Sequence, residues 1–437
     1  MSPLSERRES GLDWAGRVPA GWRIRRVKDV AALINGFPFD SAAFSKEASG
    51  LRIVRNRDLK SNDDPVYFDG QAVEAVRVDD ADVLVGMDGD FNVAWWNGGT
   101  ALLNQRLCCL RERQDLNRRF LFYLLPLPLK VVNDLTYYTT VKHLSSGQVA
   151  SLRAPLPPLA VQSEIVVFLD RKTATIDALI TKKKRQIELL EEKRQALITQ
   201  AVTKGLDPSV PMKDSGVHWL GKIPASWSLA PLRRRLLQIE QGWSPACESR
   251  PADQGEWGVL KVGCVNYGSF NYRENKALPS ELNPMPAFEV RPGDVLISRA
   301  NTRELVGSAA LVGEAPPKLM LCDKLFRLRY RPDDVYGPYL VFALLSSATR
   351  RQFERDATGA SGSMQNIGQD SIRNLVLPWP PPPEQQALVA KLEALLQQAF
   401  RVSAVVEAQI DRLREYRQAL ISAAVTGKID VSREEAA

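Results

Sequence analysis

Two stretches of this chain carry an apolar seam of alternating four- and three-residue steps, uninterrupted by turn formers. The first follows Leu156-Pro157-Pro158 and meets no glycine or proline until Gly205. Its seam is Leu169, Thr173, Ile176, Ile180, Lys183, Ile187, Leu190, Arg194, Leu197 and Ala201, with seven of the ten positions apolar. The second begins at the run Pro380–Pro383 and proceeds to Gly427. Its seam is Leu392, Leu396, Ala399, Ser403, Val406, Ile410, Leu413, Arg417, Leu420 and Ala424, with eight of ten apolar. Such a seam over more than four heptads predicts two long helices paired as a coiled coil. At about 1.5 Å per residue each would extend roughly 65 Å, longer than a globular domain is wide. Separate packing of each helix on its own domain is therefore the weaker alternative.

Between and before these stretches the pattern changes to short apolar or alternating runs. Leu51-Arg-Ile-Val54 and Val83-Leu-Val85 lie among the turn signals Asn35-Gly36, Asp69-Gly70 and Gly98-Gly99. Phe120-Leu-Phe-Tyr-Leu-Leu125 has a helical texture. Gly258-Val-Leu-Lys261, Gly293-Asp-Val-Leu-Ile297 and Phe326-Arg-Leu-Arg-Tyr330 repeat that texture later. The expected fold is mixed α/β (α+β): a globular domain over 1–155, a spacer helix over 156–210, a second domain over 211–378 and a second spacer helix over 379–437.

The order is duplicated at the level of residues. Gly11-Leu-Asp-Trp14-Ala-Gly-Arg-Val-Pro19-Ala-Gly-Trp22 returns as Gly216-Val-His-Trp219-Leu-Gly-Lys-Ile-Pro224-Ala-Ser-Trp227. Gln162 to Asp207 returns without a gap as Gln385 to Asp430, including Arg194-Gln-Ala-Leu-Ile198 and Arg417-Gln-Ala-Leu-Ile421. A duplicated half predicts a pseudo-dyad, and a dyad crossing equivalent helices pairs them antiparallel.

Composition narrows the chemistry. The 437 residues carry a net charge of +7 and a pI near 9.1, compatible with a polyanionic partner. Five cysteines without CxxC spacing and two histidines, His143 and His218, argue against a zinc site or a disulfide framework and point to a reducing cytoplasm. The start, Met1-Ser-Pro-Leu-Ser-Glu-Arg-Arg, has no apolar stretch, so no signal peptide is expected. No run approaches eighteen apolar residues, so no spanning helix is expected.

Catalytic motifs are weak. Gly216 to Lys222 has the skeleton of a phosphate-binding loop, but Ile223 stands where Ser or Thr must hold magnesium, and no apolar strand precedes it. Asn283-Pro284-Met285-Pro286 lacks the aromatic residue of an amino-methyltransferase motif.

Binding chemistry is better represented. Asn92, Trp95 and Trp96 lead through a Gly-Gly turn to Asn104, Gln105 and Arg106. Asn, Gln and Arg pair bidentately with adenine and guanine edges, and the tryptophans either pack on nucleotides or belong to the core. Arg57, Lys142 and His143 are candidate phosphate contacts, with plain surface as the alternative for each. In the second domain Arg299, Asn301, Thr302 and Arg303 follow a strand-like run, Lys324 precedes another, and Ser361, Met364 and Gln365 lie in or beside a small-residue loop suited to close backbone approach.

The Gly-x-x-Trp-x-Gly-x-[Val/Ile]-Pro-x-x-Trp openings, the Leu-Pro entries at Leu156 and Leu377, Gln162 and Gln385, the two Arg-Gln-Ala-Leu-Ile endings and Gly359–Gly368 resemble the specificity subunits of type I restriction-modification systems. The resemblance covers essentially the whole chain. It implies two target recognition domains, each reading one half of a bipartite, asymmetric DNA site, with a fold similar to the recognition domain of certain adenine methyltransferases. The helices would form an antiparallel coiled coil that docks two modification subunits, and motor-nuclease subunits would join them. The resemblance implies no cofactor in this chain: S-adenosylmethionine, ATP and Mg²⁺ belong to the partners. The rival, from a different class, is a protein-interaction scaffold with two peptide-binding modules on a helical rod.

Overall fold

A computed structural model describes residues 6–61, 63–71, 73–135, 142–356 and 364–434. They form two compact units, Met1–Lys183 with Ala408–Ala437, and Lys184–Glu407. The two seams become helix α1 (Leu159–Lys204) and helix α2 (Pro382–Val425), and each unit takes one half of each helix. Pro382 and Pro383 fit the first turn of α2, where an N–H has no intrahelical acceptor to lose.

In the first unit, Arg417 of α2 pairs with Asp177 of α1 at 2.9 Å, and Lys183 donates to Gln409 at 2.6 Å. Position rises along one helix as it falls along the other, so the pairing is antiparallel. In the second unit Ile198, Ala201 and Val202, near the end of α1, share a core with Leu388, Val389 and Leu392, near the start of α2. Every position of both seams is buried or half-buried, whereas most flanking positions are exposed. The charged seam positions Lys183, Arg194 and Arg417 each have a polar partner, which offsets the cost of leaving open water.

Each unit also carries a four-stranded antiparallel sheet. In the first unit its strands are β1 (Ala31–Asn35), β2 (Val83–Gly86), β3 (Val93–Trp95) and β4 (Leu107–Glu112), in spatial order β3-β2-β4-β1. In the second they are β5 (Leu236–Gln241), β6 (Val295–Ser298), β7 (Ala309–Leu311) and β8 (Leu325–Tyr330), in order β7-β6-β8-β5. The two topologies are the same.

The short apolar runs exist because these sheets are covered on both faces. Val83 and Val85 join the core under the helices, while Leu84 points into a second core. Val295 and Ile297 divide from Leu296 in the same way. That second core rests on a parallel strand pair in each unit, Leu51–Val54 with Ala101–Leu103 and Gly258–Leu260 with Leu319–Met320.

The duplicated residues do duplicated work. Buried Gln162 accepts from the Asn117 N–H at 2.8 Å and donates to the Asp115 and Pro157 carbonyls at 2.9 and 2.8 Å. Buried Gln385 accepts from Tyr336 at 2.8 Å and donates to Asp334 and Pro380 at 3.0 and 2.9 Å. Each glutamine thus ties the first turn of a long helix to the loop after β4 or β8.

The repeated opening motif receives the far end of a helix. Gly427, at φ 68°, lies so close to Pro19 and Trp22 that a Cβ would come within 2.6 Å of the proline ring. Gly205, at φ 75°, faces Pro224 and Trp227. Positive φ favours glycine at a helix C-terminus, and here it also leaves room for the tryptophan. Arg7 donates to the Gly427 carbonyl at 2.7 Å, satisfying a group the helix leaves open.

Candidate nucleic-acid interface

The same end of each four-stranded sheet gathers most of the polar residues expected from the sequence. In the first unit the turn before β4 exposes Gln105 and Arg106. The Met87 N–H donates to the Arg106 carbonyl at 3.0 Å, and the Leu144 N–H to the Met87 carbonyl at 2.7 Å, which sets Lys142 and His143 beside that turn. Asp88 lies between them: its carboxylate is 2.7 Å from His143 Nδ1 and 3.4 Å from Arg106 Nε. Asn56 donates to the Asp88 carbonyl at 3.0 Å, bringing the short helix Asn56–Leu59, and with it exposed Arg57, to the same loop. Lys60 pairs with Asp90 at 2.8 Å, and that hydrogen bond holds the Asp90 carboxyl below its usual range. Asn92 is half-buried in the hairpin, where its carbonyl accepts from Gly86.

The second unit repeats the framework bond for bond. The Arg299 N–H donates to the Lys324 carbonyl at 2.9 Å, and the Ile367 N–H to the Arg299 carbonyl at 2.9 Å. Arg299 therefore occupies the place of Met87, Lys324 that of Arg106, Asn366 that of His143 and Gln365 that of Lys142. Asn301 pairs with Gln365 across a two-stranded ladder, and exposed Met364 precedes it. Arg299 also donates to the Asp323 carbonyl at 3.2 Å. Thr302 and Arg303 are exposed on the following loop. Ser361 lies outside the described residues.

Two tryptophans require correction as DNA contacts. Trp96 is 3% exposed, its Nε1 donates to the Gly99 carbonyl at 2.6 Å and Arg52 covers its ring, so it is part of the core. Trp95 pairs with Val83 at the opposite end of β2 from the Asp88 loop, and Arg119 and Phe122 pack on its ring. Asn104 is half-buried with its Oδ1 enclosed, so Gln105 and Arg106, not Asn104, present the turn outward.

The sequence reading missed Asp88, Asn366 and a pair of aromatic residues. The Phe37 N–H donates to the Leu103 carbonyl at 2.9 Å, and the Trp243 N–H to the Leu321 carbonyl at 3.0 Å. Gly36 and Gly242 precede them, and a Cβ on either would lie 1.9 Å from a carbonyl oxygen of Asn104 or Leu321. The signal was present as Asn35-Gly-Phe37 and Gln241-Gly-Trp243, a polar-Gly-aromatic triplet that recurs at the end of β1 and β5.

No group of three His, Cys, Asp or Glu able to hold a metal occurs among the described residues. The cysteines are free, and burial pushes the Cys108 thiol up to about 12 and the Cys322 thiol to about 11, far from a reactive thiolate. No described helix is long and apolar enough to cross a membrane.

Two α/β heads with one framework and different polar tips, held on duplicated helices, define a class. Residues 19–189 match the family described as type I restriction modification DNA specificity domain, and over most of its length the chain is similar to specificity subunits of type I restriction enzymes. Among curated relatives, the type I restriction enzyme EcoBI specificity subunit of Escherichia coli is 27% identical over 93% of this chain and 86% of its own length. The MjaVIII specificity subunit of Methanocaldococcus jannaschii is 22% identical over 95% of this chain and 94% of its own. A solved chain from work on complex assembly and conformational transition of the type I R-M system shares the fold, with a TM-score of 0.66 and 19% identity over 94% of this chain and 99% of that one.

Proposed function

We propose that this chain is the non-catalytic DNA-recognition subunit of a type I restriction-modification complex. Its target recognition domains, 1–155 and 211–378, each read one half of a bipartite, asymmetric duplex site. The spacer helices, 156–210 and 379–437, set the separation and dock two modification subunits, which restriction subunits join. The observation that carries this reading is the pair of dissimilar polar sets on one framework: Arg106, Lys142 and His143 in one unit, Lys324, Gln365, Asn366 and Arg299 in the other.

Identical backbone positions with different side chains suit two half-sites of different sequence. Exposed Arg and Lys at the turn before β4 or β8 read guanine O6 and N7, while Arg57, Lys142 and Arg303 neutralise phosphates. Gln105, Asn301, Thr302, Met364 and Gln365 supply the remaining edge and backbone contacts. The S-adenosylmethionine, ATP and Mg²⁺ chemistry belongs to the partner subunits, and the complex works in the cytoplasm.

The test is selection from a random duplex library by the chain bound to its modification subunits. Enrichment of two short motifs separated by a fixed number of unspecified base pairs is expected. A single continuous motif, or no enrichment, would reject the reading and favour a protein-interaction scaffold.

A further inference from the structure

The first unit holds a cleft of about 810 Å³ at the opposite end of β4 from Arg106. Arg23, Arg25 and Arg113 line it, and Leu159, the first residue of α1, closes one side. Arg23 and Arg25 alternate along the strand Arg23–Arg26 and so project from one face of it. Neither makes an ion pair among the described residues, whereas their neighbour Arg26 is held by Asp29 at 3.1 Å. Arg113 donates only to a backbone carbonyl, that of Lys28, at 3.3 Å. Of the two acids in the lining, Asp29 is already committed to Arg26, so the cleft presents a surplus of guanidinium groups.

The duplication supplies an internal control. The strand Arg23–Arg26 pairs with Arg153–Leu156, and its counterpart Ser228–Pro231 pairs with Val376–Trp379. In matching register, Ser228 and Ala230 stand where the first unit has Arg23 and Arg25. The scaffold therefore forms without these arginines, and their charge in one copy calls for a ligand.

We infer that this cleft receives an acidic peptide segment of a partner protein, once per chain. Guanidinium forks match carboxylates bidentately. The position of the duplex is taken from the preceding reading: it lies at the Arg106 end of β4, and six residues at about 3.3 Å each put the cleft roughly 20 Å away. A protein carboxylate cluster, rather than the phosphates of the recognised half-site, is the occupant that location favours.

The experiment uses the full chain, first saturated with a random 40-base-pair duplex, and titrates a fluorescein-labelled decaglutamate peptide by anisotropy. One peptide per chain is expected. R23S/R25A, which installs the residues of the second unit, should weaken peptide binding at least tenfold and leave duplex affinity within twofold. R23K/R25K keeps the charge without the planar fork and should bind the peptide with an affinity between those of the parent and R23S/R25A. Absence of binding by the parent, two peptides per chain, or unchanged binding by R23S/R25A would overturn the inference. A fall in duplex affinity without one in peptide binding would also overturn it, placing the cleft on a DNA path. Because peptide and duplex are scored separately, the recognition reading can fail without this one, and this one without it.

Discussion

Replacing Gln162 by alanine tests how the recognition head is fixed to its helix. The side chain is fully buried and makes three hydrogen bonds to backbone groups of two different segments. Each such bond contributes about 1 kcal/mol net, and a buried group left unpaired costs about 1–3 kcal/mol. The Asn117 N–H and the Asp115 and Pro157 carbonyls each lose the hydrogen bond this side chain makes with them. The sum is about 3–4 kcal/mol. For a unit of this size that lowers the thermal midpoint by roughly 10 °C. Differential scanning calorimetry of the full chain, with urea unfolding alongside, reads it. Gln162→Glu should be at least as harmful, because a carboxylate oxygen would face two carbonyls. Gln385→Ala should do the same to the other unit through Tyr336, Asp334 and Pro380. A loss below about 1 kcal/mol for Gln162→Ala, or tolerance of Gln162→Glu, would refute the clamp.

Other outcomes follow from the same geometry. Arg106→Ala and Arg299→Ala should each relax one half-site, read by binding selection; an equal loss across both halves would contradict local readout. Each phosphate contact removed, for example by Arg303→Ala, should lower the salt slope of DNA binding by about 0.9. Asp82 is buried between Arg111 at 2.6 Å and Arg118 at 3.0 Å; burial pushes its pKa up, but the Arg111 hydrogen bonds and the Asp79 N–H outweigh this and hold it below the usual range. The unfolded chain then binds the proton more readily. The stabilisation is complete above about pH 4, the ordinary aspartate value, and disappears as pH falls through the lower folded value. Asp82→Asn should therefore flatten the acid limb of the stability profile. Four residues inserted after Lys184 lengthen α1 by about 6 Å. The tolerated spacer between half-sites should shift by about one to two base pairs, checked by methylation assays on a spacer series.

The long helices and the duplication were legible because their signals are local and repeated. A 4-3 seam, proline entries and glycine stops determine a helix almost without tertiary help. Antiparallel pairing followed from symmetry, and Arg417 with Asp177 realises it. The strands emerged as apolar runs, but their double-sided burial, with Leu84 facing away from Val83 and Val85, depends on partners distant in sequence. The candidate interface was legible by residue type and not by direction. Trp95-Trp96 looked like a stacking pair, yet the alternation of a strand and a Gly-Gly turn sends both indoles into protein. Asp88 was hidden because its role comes from His143, far along the chain. The equivalence of Arg106 with Lys324 could not be drawn by alignment, since the intervening loops differ; the backbone hydrogen bonds reveal it.

Base-resolution methylation mapping in cells expressing this chain with its modification subunit tests the central claim most directly. Two dissimilar readers should yield one asymmetric, two-part methylated motif. Lys324→Ala should blur one part while Arg106→Ala blurs the other. No new methylated motif, or one in which both substitutions affect the same half, would contradict recognition by two separate heads.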